Sequence, residues 1–418
     1  MNIFDVINKT RFRKPLSDEE ISFLVNGFVD GNVESYQMSA WLMAVCLNSL
    51  SDEETASLTI AMMNSGKRLD LSGIEGITVD KHSTGGIGDK TSLIIAPICA
   101  ACGIKVPKMS GRGLGYTGGT IDKLASIPGY STSLGFDAFV KTVNKCGFSI
   151  VSQSTELCPA DKKMYALRDV TATVESIPLI CSSIMSKKLA MGADCILLDV
   201  KCGNGAFMKD RPQAEKLCVA MERVGAMAGK RTRAVISDMN EPLGCSVGNS
   251  LEVIEAIETL KGEKKGRLYD ECLMLSSEML AMARSTEAVT CVPEVAEAVE
   301  SGRALEMLRK NIELQGGEPE VIDNYRLFPQ PRYSSVLYSE KSGTVRSISA
   351  IGVGMASHSL GAGRTRTDGE VDLSAGIRLC CQSGDRLEKG EPLAELYSST
   401  VADMSAVAAK LNKCVEII

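Results

Sequence analysis

The sequence predicts an α/β protein in which a helical domain is joined to a mostly parallel-sheet α/β domain, with a β-rich α+β domain at the C-terminal end. Three observations predict it. Two heptapeptides of one pattern, Thr84-Gly85-Gly86-Ile87-Gly88-Asp89-Lys90 and Thr117-Gly118-Gly119-Thr120-Ile121-Asp122-Lys123, begin 33 residues apart, about the length of a βαβ unit. Each follows a short apolar run and opens a helical pattern, so parallel strands would bring both turns to one sheet edge. Residues 1–66 and 156–193 carry helical periodicity alone, and beyond residue 335 the texture changes to short strands punctuated by glycine.

In chain order, residues 1–66 contain two helix starts. Ser17-Asp18-Glu19-Glu20 and Ser51-Asp52-Glu53-Glu54 each place acidic side chains in a first turn, where the helix dipole favours them. Residues 67–155 alternate strand and helix, with residues 77–79 and 104–109 as the apolar runs before the two turns. Residues 156–193 return to helix and join the first segment in the helical domain. Residues 194–335 resume the sheet, with strands at 195–200 and 233–237. Crossings near 66, 155 and 193 make natural hinges. Residues 336–418 form the third domain. Their Gly384-Asp385-Arg386-Leu387-Glu388-Lys389-Gly390-Glu391-Pro392-Leu393 stretch resembles the hammerhead sandwich of biotin and lipoyl carriers, but no lysine stands at a matching exposed Met-Lys hairpin.

Composition excludes several classes. With 418 residues the chain needs more than one domain, and 44% apolar with 5% aromatic residues suits an enzyme packed with Ala, Ile, Leu and Val. Net charge is −6, with Lys and Arg interspersed among Asp and Glu, so nucleic acid is not an expected partner and any anion site is locally basic. No apolar run reaches the roughly 18–20 residues of a membrane span, and residues 1–14 lack a signal-peptide core; the expected location is cytoplasmic, with no membrane partner. The fifteen cysteines are odd in number and scattered through apolar stretches, which reads as reduced core thiols. Cys99 and Cys102 have the spacing of half a zinc site, but their segment is helical, no second pair follows, and the only histidines are His82 and His358.

The heptapeptides read as phosphate-cradling turns. Glycine lets the backbone approach a ligand, and helix N-termini offer N–H groups to an anion. Around the first turn Lys81 supplies a point charge, while Ser83 and Ser92 supply hydroxyls. Around the second, Lys108, Met109, Ser110 and Thr120 repeat that chemistry. No carboxylate pair adjoins either turn in sequence, so free phosphate is expected and a dedicated Mg²⁺ site is not. A third cluster lies in 156–193: Tyr165 and Arg168 are three apart, Ser183 and Lys187 four apart, and each pair can share a helix face. Lys188 would point away from Ser183. The bland reading of Arg168 is a solvated surface charge beside Asp169.

Lys81-His82-Ser83-Thr84-Gly85-Gly86-Ile87-Gly88-Asp89-Lys90, Ser110-Gly111-Arg112-Gly113-Leu114-Gly115-Tyr116-Thr117-Gly118-Gly119-Thr120, residues 160–173 and Ser182-Ser183-Ile184-Met185-Ser186-Lys187-Lys188 resemble the thymidine and pyrimidine-nucleoside phosphorylases. The resemblance covers essentially the whole chain. It implies reversible phosphorolysis: phosphate attacks the anomeric carbon of a pyrimidine nucleoside and releases the base and a pentose 1-phosphate. In it, Arg168, Ser183 and Lys187 bind the pyrimidine with Tyr165 beside them. Lys81, Ser83, Ser92, Ser110 and Thr120 bind phosphate, with the backbone of Lys108, Met109 and Ser110 close by, and His82 faces the base as a proton or hydrogen-bond donor. No cofactor is required, phosphate is a co-substrate, and a homodimer forms through the helical domain.

Departures from the family pattern fall at Tyr116, usually histidine, and Ala125, usually glutamate; both bear on loop packing and pentose contacts. Some relatives hold a monovalent cation at positions matching Gly88, Lys90, Leu243, Ser246 and Glu255, often with threonine in place of Lys90. The ammonium either replaces the ion and pairs with Glu255, or points outward while its carbonyl still ligates potassium; weak potassium dependence is expected. An anthranilate-type phosphoribosyltransferase would need acidic residues for Mg²⁺ beside its turn, and a non-catalytic nucleoside-binding protein would have no need of Lys81, His82 and Arg168 together. The choice between thymidine alone and a broader range rests on contacts such as Leu114, Ile180 and Phe207.

Overall fold

The structure is a computed structural model and describes residues 1–113, 116, 118–154, 156–364 and 369–418. The chain leads with helices α1 (Ile3–Arg11), α2 (Asp18–Asp30), α3 (Ser35–Asn48) and α4 (Asp52–Asn64). It continues through β1 (Val79–Ser83), α5 (Thr91–Ala101), β2 (Val106–Ser110), α6 (Thr120–Leu124), α7 (Phe136–Cys146) and β3 (Phe148–Ser152). Then come α8 (Pro159–Val170), α9 (Ile177–Met191), β4 (Cys195–Cys202), α10 (Arg211–Met227) and β5 (Arg231–Asp238).

Two compact units result. The first comprises Met1–Gly73, Gln153–Leu198 and Pro212–Val235. Both expected helix starts close into capping boxes, with Ser17 and Ser51 accepting from the N–H groups of Glu20 and Glu54 and the glutamates accepting in return. The core of this unit gathers Ile21, Leu24, Met38, Trp41, Leu42, Met164 and Leu179. Trp41, the only tryptophan, donates its indole N–H to Thr10 Oγ1 at 3.0 Å.

The second unit comprises Ile74–Ser152, Asp199–Arg211 and Ile236–Ile418. Just before β1, Thr78 pairs with Lys105 in parallel, and β2 pairs in parallel with β3 from Val106 opposite Phe148 to Ser110 opposite Ser152. Parallel pairing brings the C-terminal ends of neighbouring strands to one edge, as the repeat spacing predicts. A second sheet has the order β1-β4-β5. The helix after the second turn is shorter than expected, only five residues, because Pro128 and Gly129 soon follow and cannot extend it. Towards the C-terminus, strands Gly376–Leu379, Pro392–Ser398 and Tyr333–Tyr338 form an antiparallel sheet with Ser246–Val247 at its edge, beside a smaller sheet of Arg386–Leu387, Gly343–Ile348 and Val415–Ile417.

These units group the expected segments as follows. Residues 336–418, expected as a third domain, fall in the second unit, because Ser246 and Val247 of the α/β segment pair with Arg378 and Ile377. Residues 212–235, expected with the sheet, fall in the first unit, where Arg223 pairs with Asp52 at the start of α4. Among the described residues no helix is long and apolar enough to cross a membrane.

Leu42 is completely buried, so Leu42→Ala is expected to cost about 2–5 kcal/mol. Urea unfolding followed by Trp41 emission, which reports on this unit alone, checks it; an unchanged midpoint would contradict the packing described.

Candidate functional site

The first glycine turn stands on a dry network of charge. Lys81, on β1, is fully buried; its Nζ donates to Thr91 Oγ1 at 2.7 Å and pairs with Asp199 Oδ2 at 2.8 Å. Thr91 Oγ1 in turn donates to Asp89 Oδ1 at 2.7 Å, and Ser83 Oγ donates to Asp89 Oδ2. Asp199 also pairs with Lys201 at 2.9 Å, and Lys201 with Glu271. Burial alone would push Asp89 and Asp199 upward, but nearby lysines hold both below the ordinary carboxylate range, Lys81 and Lys201 chief among them. Burial likewise works against Lys201, yet Asp199, Asp89 and Glu271 together raise it. Glu271 is itself raised, mainly by burial. The ammonium of Lys81 is therefore engaged beneath the turn, while His82, Ser83 and the backbone to Gly85 are only half-buried. Gly85, at φ +92°, takes a conformation that side chains disfavour.

The remaining predicted phosphate residues gather on the same unit. Lys108, on β2, donates its Nζ to Lys81 O at 2.5 Å, which ties the two strand ends together. Met109 is buried, Ser110 is half-buried at the end of β2, Ser92 is buried in the first turn of α5, and Thr120 opens α6. Gly119 has no room for a side chain, since a Cβ would fall 2.1 Å from Gly113 N. Leu114, Gly115 and Thr117 lie outside the described residues.

The lysines that end the two heptapeptides share one anchor. Lys90 Nζ lies 2.6 Å from Glu255 Oε2, and Lys123 Nζ lies 2.7 Å from Glu252 Oε2. Both glutamates sit on the helix Asn249–Leu260, three residues apart and so on one face. Asp122, the partner of Asp89 in the repeat, accepts from Gly113 N at 2.7 Å and pairs with Arg364 at 2.7 Å. Sequence reading missed Asp199, Lys201, Glu252, Glu271 and Arg364. A signal existed for the first two: Asp199 and Lys201 alternate on one face of an otherwise apolar strand, which a buried strand tolerates only for paired charges. Carboxylates do adjoin the first turn, contrary to the sequence expectation, because β4 brings Asp199 beside Asp89. Both are taken up by lysines and hydroxyls, a donor set unlike that of a Mg²⁺ site.

The pyrimidine cluster lies on the first unit. Asp161, Tyr165 and Arg168 follow one another along a face of α8, and Ser183 and Lys187 along a face of α9. Lys187 Nζ pairs with Asp161 and donates to Ser183 Oγ at 3.0 Å. Arg168 is buried, not a solvated surface charge: its guanidinium donates to the carbonyls of Thr173, Leu179 and Val174 at 3.1, 3.0 and 2.7 Å, and its Cζ sits 5.6 Å from the Tyr165 ring centre. Tyr165 keeps 39% of its surface exposed. Asp161, which orients Lys187, was not singled out from the sequence. Lys188 is buried.

A helical unit that carries the predicted pyrimidine residues and a glycine-turn α/β unit that carries the predicted phosphate residues are the parts expected of a glycosyltransferase, and the comparisons show that class. Residues 4–66 match the helical bundle domain of the glycosyl transferase family, residues 75–305 its a/b domain, and residues 344–418 the pyrimidine nucleoside phosphorylase C-terminal domain. The pyrimidine-nucleoside phosphorylase of Bacillus subtilis (strain 168) is 50% identical over 400 residues, covering 96% of this chain and 92% of the relative. That of Staphylococcus aureus (strain bovine RF122 / ET3-1) is 48% identical, covering 100% and 96%. The chain belongs to the pyrimidine-nucleoside phosphorylase family. In fold alone it is also similar to the anthranilate phosphoribosyltransferase of Thermus thermophilus, at TM-score 0.61 and 19% identity, covering 74% of this chain and 99% of that one.

The shifts at Asp199 and Lys201 set a pH window. A carboxylate held below its unfolded value contributes stability that is lost as pH falls, and an ammonium held above its unfolded value contributes stability that is lost as pH rises. In thermal melts the contribution of Asp199 and Lys201 to stability is expected to be constant between about pH 5 and 10 and to fall on both sides. The raised carboxyl of Glu271 acts in the opposite sense as pH rises from its ordinary range. Lys201→Met, which leaves Asp199 and Glu271 short of a cation, is expected to cost about 3–5 kcal/mol; a variant as stable as the parent would contradict the network.

Proposed function

We propose that the chain catalyses reversible phosphorolysis of uridine, thymidine and deoxyuridine, giving the free base and α-D-ribose 1-phosphate or its 2-deoxy form. The observation that carries this is the pairing of Lys187 with Ser183 and of Arg168 with Tyr165 on two helices of one unit, in a chain half identical over nearly its whole length to a pyrimidine-nucleoside phosphorylase. A phosphate oxygen forms a bond to the anomeric carbon as the bond from that carbon to the base nitrogen breaks, and the base keeps the electron pair. Negative charge grows on the base oxygens, so cations and donors fixed beside them favour the transition state over the substrate. Arg168 and Lys187 supply those cations, Ser183 a hydroxyl, and His82 a donor to the departing base. Phosphate is held by the backbone and hydroxyls of Ser83, Ser92, Ser110 and Thr120 over the buried charge of Lys81 and the backbone of Lys108 and Met109.

Because the base residues belong to one unit and the phosphate residues to the other, the reaction requires the units to close on both substrates, excluding water from an oxocarbenium-like centre. Solution scattering should then record compaction when phosphate and a base analogue are added together. The exposed apolar side chains Phe4, Tyr36, Met43 and Leu47 of the helical unit support a homodimer. No metal enters the chemistry of these residues, and the cytoplasm is the location that fits a nucleoside salvage enzyme.

Ultraviolet detection of base release from thymidine and from uridine, with and without phosphate, tests the reading; phosphoribosyl pyrophosphate with Mg²⁺ is the control. Phosphate-dependent cleavage of both nucleosides is expected, and cleavage of thymidine alone would narrow the activity to a thymidine phosphorylase. Arg168→Lys and Lys187→Met should each lower kcat/KM by about 100- to 1,000-fold. Cleavage of neither nucleoside by the folded protein would overturn the reading.

A further inference from the structure

The cation position implied by the family resemblance is filled by the chain itself. Lys90 is 1% exposed, and its Nζ lies 2.8 Å from Leu243 O, 2.9 Å from Ser246 O and 2.6 Å from Glu255 Oε2. Three acceptors meet the three N–H donors of an ammonium. The same carboxylate is fixed from its other side, with Oε1 accepting from Cys245 N at 2.7 Å and Oε2 from Ser246 N at 2.9 Å. Gly88 lies so close that a Cβ there would fall 2.7 Å from Leu243 O, so the turn rests directly on these carbonyls. Of the two arrangements open to Lys90 in the sequence, the inward one is formed.

The other heptapeptide repeats the device. Lys123 Nζ donates to Asp89 O at 2.7 Å and pairs with Glu252, one carbonyl and one carboxylate around a buried ammonium where Lys90 has two carbonyls and one carboxylate. A potassium ion added among the acceptors of Lys90 would compete for oxygens already bonded and lie beside a like charge. The residues present do not fit a bound monovalent cation. We propose that Lys90 is a built-in cation, a positioning residue that holds the first glycine turn against residues 243–246, and that this chain works without potassium.

The test is a salt exchange with two readouts. Melting temperature and kcat/KM of the parent chain should be the same in potassium chloride and choline chloride at about 0.1 M, where long-range screening is equal. Lys90→Thr restores an uncharged oxygen and opens the cradle. It should melt lower in choline chloride, regain roughly 2–4 °C on exchange into potassium, recover activity in the same step, and not respond to lithium. A selective gain of the parent in potassium would overturn the proposal, as would a Lys90→Thr protein indifferent to the cation. If Lys90→Thr does not fold, the parent's salt comparison decides alone. Melting needs no substrate, so this inference and the phosphorolysis reading can fail separately.

Discussion

The glycine turns rest on buried lysines that are each paired with a carboxylate. Lys81, Lys90, Lys123 and Lys201 are among the largest fully buried side chains of the protein, and isolated charges there would be expensive. Each has a carboxylate within reach: Asp199, Glu255 and Glu252 for the first three, Asp199 and Glu271 for the last. Such pairs contribute little net stability against a well-packed apolar alternative, but breaking one costs several kcal/mol. Their effect is therefore on register. Sliding either heptapeptide by one residue against the helix Asn249–Leu260 would strand an ammonium, so the two turns are pinned at a fixed height on the sheet edge.

That arrangement bears on how a chain of net charge −6 would receive the phosphate proposed above. The lysine charges beneath the first turn are balanced by carboxylates and the Ser83 hydroxyl donates to Asp89, so the donors left for an anion at this turn are backbone N–H groups. A free lysine at the rim would bind phosphate as a flexible point charge. A buried one, held by Thr91 and Asp199, fixes the strand end from which Ser83 and His82 project.

The repeat, the helix caps and the parallel strands were legible because they depend on local pattern: glycine at fixed offsets, Ser followed three residues later by Glu, and apolar runs of strand length. The pairing on α9 was legible for the same reason, since Ser183 and Lys187 are separated by one turn of helix. What escaped were partners supplied from far along the chain. Asp199 reaches Lys81 across more than a hundred residues, and nothing local distinguishes it from any aspartate beside a lysine except its place in an apolar strand. The link between the C-terminal sheet and the α/β segment was likewise hidden, because only two residues, Ser246 and Val247, make it, a pairing too short to leave a periodic trace. Arg168 was ambiguous in sequence and is settled only by the carbonyls of residues 173–179 that close around it.

Those carbonyls bear on the roles proposed for Arg168 and Lys187. Arg168 is held by three backbone oxygens and Lys187 by Asp161 and Ser183, so both cations are oriented before a base is present. Orientation by groups already bonded forgoes some ground-state attraction, because each cation arrives partly satisfied. In the proposed reaction it gains where charge is still developing: a base oxygen that becomes more negative as the glycosidic bond lengthens draws more on fixed cations than a neutral nucleoside does. The balance favours the moment of bond breaking over the bound substrate, which is the direction a phosphorolytic site needs.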